Sequence, residues 1–68
     1  MADLASTSAE LHVIADGIDR ARDRVAGMTE PYLGSDREDL IAAMHEAERQ
    51  LLVASRALRR AIKTADRG

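Results

Sequence analysis

The sequence predicts an all-α fold: an antiparallel hairpin of two helices, over about 8–29 and 36–66, that dimerises into a four-helix bundle. Three observations carry this. Apolar residues recur at helical spacing in two long stretches, a single short break separates them, and the composition suits packed, solvated helices. Alanine appears 13 times in 68 residues, 32% of the chain is charged, and Phe, Trp and Cys are absent. A core built without large aromatics relies on Leu, Ile, Val, Met and Ala, and small residues let helices come close.

The first helix reads as a heptad with Leu4, Leu11, Ile18, Val25 and Tyr32 in one row and Thr7, Ile14, Ala21 and Met28 in the next. That pairing of rows is the usual seam of an amphipathic helix. Thr7-Ser8-Ala9-Glu10 fits a capping box, in which the Thr7 hydroxyl takes an amide proton and Glu10 reaches back. Asp3 could cap an earlier start, but the Thr7 box is favoured, with residues 1–6 frayed or weakly helical.

The second helix pairs Leu40, Ala47, Ala54 and Ala61 with Met44, Leu51, Leu58 and Ala65. Half of this seam is alanine, and Gly17 and Ala21 offer a matching shallow strip on the first helix. The expected working seam is Leu11, Ile14, Ile18, Val25, Leu40, Met44, Leu51 and Leu58.

The break is TEPYLGSDRED, with the interhelical turn at 30–35. Glu30 precedes Pro31 and is pushed away from α-helical geometry. Pro31 suits the first corner of a turn and Gly34 can take positive φ. Ser35-Asp36-Arg37-Glu38 is a second capping box. Tyr32 stays in phase with the first helix, so its ring is expected to close the end of the bundle. A stop, a loop and a start this close together make the helices antiparallel neighbours.

A reversal at 32–33 would set Asp16 opposite Arg49 and Glu10 near Arg56. Charge is distributed to match: residues 1–48 hold eleven acids and four arginines, whereas 49–68 hold six cations and Asp66 alone. Cations also suit the negative end of a helix dipole.

The hairpin has more apolar surface than two helices can cover. Leu52 and Val53, with Ile41 and Ile62 at the stripe's edge, are expected to contact an outer partner, and Val13 also lies off the seam. A second copy or a similar hairpin would meet that need.

Little points to chemistry. His12 and His45 fall on solvated flanks, and HEAE at 45–48 lacks the second histidine of a zinc motif, so no metal site is expected. Asp16, Asp19 and Asp23 alternate with Arg20, Arg22 and Arg24 as a solvated face. No phosphate loop or nucleophile set stands out, and no enzyme, cofactor or small-molecule substrate is expected. The alternative reading is a small nucleic-acid-binding regulator using Arg56, Arg59, Arg60 and Lys63, although the chain as a whole carries net charge −2. MADLASTSAEL has neither the basic nor the apolar region of a cleavable signal peptide, and apolar runs fall far short of the ~20 residues of a membrane span, so a cytoplasmic protein is expected.

Two helices joined by aromatic-x-Gly, here Tyr32-Leu33-Gly34, resemble the WXG-type small helical-hairpin proteins of type VII secretion. The composition resembles that of small hairpin proteins of high-GC actinobacteria. The resemblance implies homo- or heterodimeric four-helix bundles, export without a signal peptide, and no catalysis. Tyrosine replaces the family's tryptophan, and no tyrosine follows residue 32 to form its C-terminal Tyr-x-x-x-Asp/Glu signal.

Overall fold

A computed structural model describes residues 3–67. The first helix, α1, runs from Leu4 to Thr29, and the second, α2, from Glu38 to Arg67. A short 3-10 turn, Glu30–Tyr32, leads out of α1. The two helices pack side by side as an antiparallel hairpin, 53 Å long and about 15 Å across.

α1 starts earlier than the Thr7 capping box implies. Asp3 is the cap: its carboxylate accepts the Ala5 N–H at 3.1 Å and the Ser6 hydroxyl at 2.9 Å. Its carbonyl accepts the Thr7 N–H at 2.9 Å. An aspartate cap also places negative charge at the positive end of the helix dipole, and the early start brings Leu4 into phase. Of the stretch 1–6 expected to fray, residues 1 and 2 lie outside those described, and residues 4–6 are helical.

The turn also departs from expectation in two places. Glu30 keeps α-helical angles, φ −52° and ψ −46°, with its N–H bonded to the Ala26 carbonyl. The tighter 3-10 geometry accommodates Pro31 near its start, where a missing N–H costs nothing. The chain leaves the helix only at Leu33, which is extended at φ −60° and ψ 131°. Gly34 then takes φ 82°. The Ser35 hydroxyl accepts the Arg37 N–H at 3.2 Å instead of closing a box with Glu38, and α2 begins at Glu38, not 36.

With the loop extending to residue 37, the reversal lies further along the chain than 32–33, and the helix register shifts with it. Ser8 meets Asp66, Asp19 meets Ser55 and Arg59, and Asp16 meets Arg59. The expected Asp16–Arg49 and Glu10–Arg56 pairs do not form; Arg49 bonds Glu46 on its own helix at 2.6 Å.

Gly34 in the turn and Gly27 in α1 should respond oppositely to substitution. Gly34→Ala is expected to destabilise the protein by about 1 kcal/mol, since a side chain is strained at that φ. Gly27 lies within α1, with open space where a Cβ would go, so Gly27→Ala should be neutral or stabilise by up to about 1 kcal/mol. Urea unfolding of both variants checks the pair.

Candidate functional site

The contact between the helices uses a different pair of rows from the expected seam. Leu11, Ile18 and Val25 of α1 and Met44, Leu51 and Leu58 of α2 do lie half-buried between them. Their companions in α1 are Ser8, Ala15, Arg22 and Thr29, and in α2 Ile41, Glu48, Ser55 and Ile62. Thr7, Ile14 and Met28 of the expected companion row in α1 stay exposed, as do Ala47 and Ala61 in α2. Ile14, expected in the seam, is 43% exposed, and Ala15 beside it is fully buried.

The chemistry of the inner rows explains the choice. Ser8, Ala15 and Ser55 are small, so the backbones approach closely, and the two serines also bind across the seam. Ser8 Oγ donates to Asp66 Oδ1 at 2.6 Å, and Ser55 Oγ donates to Asp19 Oδ1 at 2.7 Å. Arg59 Nη2 donates to Asp19 Oδ2 at 2.6 Å and to Asp16 Oδ1 at 3.2 Å. Arg22 and Glu48 are long enough to lie half-buried with their charged ends outward. Thr29 Oγ1 donates within its own helix, to the Val25 carbonyl at 2.8 Å. Each buried hydroxyl therefore has a partner, as burial requires.

This arrangement gives the hairpin two unlike faces. On one, Asp16 and Asp19 meet Ser55 and Arg59. The Ser55 hydroxyl and the Arg59 guanidinium hold the Asp19 carboxyl below its ordinary value. The two aspartates in turn raise Arg59.

The opposite face is apolar and open. Helix geometry places Ile14, Ala21 and Met28 on the same side as Leu40, Ala47, Ala54 and Ala61, flanking the half-buried central rows. At the loop end of this face, Gly27, Met28, Pro31, Tyr32, Leu40 and Met44 line a shallow cavity of about 610 Å³. Leu4, Met28 and Tyr32 are exposed, Met28 to 59%.

Among the described residues, the only fully covered apolar side chains are Ala15 and Ile62. Ile62, expected at an outer contact, is 5% exposed and lies inside the hairpin. Ile41 and Leu52 are half-buried, and of the expected outer contacts only Val53 is exposed. The row Ile14–Ala21–Met28 is legible in the sequence as apolar, but heptad spacing alone does not distinguish a seam row from the exposed flank where Ile14 and Met28 lie.

The turn residues Pro31, Tyr32, Gly34 and Ser35 are all exposed at the loop end. Of the four basic candidates, Arg59 is engaged with Asp16 and Asp19, whereas Arg56, Arg60 and Lys63 are exposed. No three His, Asp or Glu side chains among the described residues are grouped as a metal site would need. No helix among them is long and apolar enough to cross a membrane. Comparison with protein-family models, with curated proteins and with solved structures finds no match.

The Asp19 cluster makes a pH prediction. A carboxyl whose folded pKa is depressed stabilises the fold above its unfolded value, here near 3.8, and that contribution disappears as pH falls through the lowered folded value. Thermal melts from pH 7 down to pH ~2 should show stability falling at the acid end. Asp19→Asn should lower stability at pH 7 and make the acid slope shallower.

Proposed function

We propose that this chain is a non-catalytic interaction module whose open apolar face is covered by a second copy, giving a four-helix bundle. The observation that carries the reading is the missing core: among the described residues the hairpin fully covers only the apolar side chains of Ala15 and Ile62 and leaves Leu4, Ile14, Met28 and Tyr32 exposed. Chains this short bury little surface unless stapled or oligomeric, and this one has no cysteine. The hairpin is 53 Å long and about 15 Å across, so one whole side of it offers on the order of 800 Å², comparable to what each partner contributes to a stable interface.

The proposal extends to the WXG-type hairpins. It is supported by the helical hairpin itself and by Tyr32-Leu33-Gly34 at its turn, with the Tyr32 ring beside the apolar cavity. Cytoplasmic residence, or export without a signal peptide as that family implies, belongs to the same reading.

Light scattering at micromolar concentration should give the mass of a dimer. Ile14→Asp should shift it to the monomer, weakening association at least tenfold by burying a charge in the interface. Val13→Asp, at a neighbouring position 62% exposed and turned away from the face, should leave the dimer intact. A folded, strictly monomeric wild type would refute the reading.

One observation favours a second reading. Arg56, Arg60, Lys63 and Arg67 are all exposed and spaced to form one stripe along the outer side of α2. Such a stripe suits the phosphate backbone of a nucleic acid. It predicts DNA or RNA binding that weakens steeply with salt and is lost on replacing Arg56, Arg60 and Lys63. No binding at low salt would eliminate it.

A further inference from the structure

The edge of the apolar face carries its own pattern. Beyond the row Ile14–Ala21–Met28, the next row of α1 holds Glu10, Gly17 and Arg24. These are opposite charges set seven residues to either side of a glycine. Among the described residues, neither charge forms an ion pair.

Gly17 itself is not explained by the hairpin. It lies mid-helix, where glycine costs about 1 kcal/mol relative to alanine. A Cβ there would meet only the far end of the Arg20 side chain, at an ordinary 3.9 Å. The hairpin has room for alanine, so a close approach from outside is what a bare backbone would serve.

We infer that the second copy lies antiparallel to the first, α1 against α1, about a two-fold axis at Gly17. This rests on the self-association proposed above and adds its geometry. Glu10 then faces Arg24 of the second copy, and Arg24 faces its Glu10. Gly17 meets Gly17, and Ile14 packs against the second copy's Ala21.

The same operation suits α2. The hairpin register sets Asp16 beside Arg59 and Asp19 beside Ser55, which brings Gly17 level with Ala57. The axis thus runs between two small residues, Ala57 meets Ala57, and the flanking Ala54 meets Ala61. At the ends, the exposed Leu4 of each copy reaches the Tyr32 of the other and covers the cavity formed with Met28, Leu40 and Met44. An exposed apolar side chain, an open apolar cavity and two charges without an ion pair among the described residues are all satisfied by one symmetry operation.

Two measurements on the full chain test this. First, Gly17→Cys under mild oxidation should form a covalent dimer with itself, because cysteines facing each other across the axis fall within the short Cα separation a disulfide needs. Second, Glu10→Arg and Arg24→Glu should each weaken the dimer roughly three- to tenfold, and the double variant should restore it. If α1 instead lies against α2 of the second copy, Gly17→Cys crosslinks only to Ala57→Cys and the double charge variant restores nothing. That result, with light scattering still reporting a dimer, overturns the antiparallel arrangement and leaves self-association standing. A monomeric wild type overturns both.

Discussion

The structure depends on one close contact, the seam where Ser8, Ala15 and Ser55 bring two helix backbones together. Small residues make that approach possible, and the serine hydroxyls convert it into directed bonds to Asp66 and Asp19. Those bonds belong to one register of the hairpin, with Ser8 on Asp66 and Ser55 on Asp19. Arg59 reinforces the same register from the edge by bridging Asp16 and Asp19. Both members of the closer pair are more than a third exposed, so the contribution is directional rather than large.

Using small polar residues inside has a consequence outside. Each helix carries three adjacent rows that are mostly apolar or small, interrupted by Arg22 in α1 and Glu48 in α2, and the hairpin contact occupies only two of them. The third row, with Ile14, Met28 and Leu40, forms the open face. Leu11, Ile18, Met44, Leu51 and Leu58 are left half-buried by the hairpin, and Ile14 and Met28 are left exposed beside them. In the proposed dimer, much of the hydrophobic burial, the main favourable term in folding, would lie between copies.

The hairpin was legible in the sequence because it rests on local signals. Heptad spacing, Pro31, the positive φ of Gly34 and the short connection each act within a few residues. The exact rows in contact were not legible. A stripe three rows wide has two possible seams, and the apolar pattern favours the larger side chains of Ile14 and Met28, whereas the observed contact rests on Ala15 and two serines whose partners lie 36 and 58 residues away. The register was missed for a related reason. It depends on where α2 begins, and Ser35 bonds Arg37 instead of completing its box, which lengthens the loop and moves every cross-helix pair. At the N-terminus two valid local signals compete, and the Asp3 cap prevails over the Thr7 box.

If the core forms between copies, folding and association are one equilibrium, and thermal stability must depend on protein concentration. The most direct test is the unfolding temperature measured by circular dichroism over a hundredfold range of concentration. With a core shared between copies, the Tm rises steadily with concentration. A Tm that stays constant across that range, together with a monomeric mass, would contradict it.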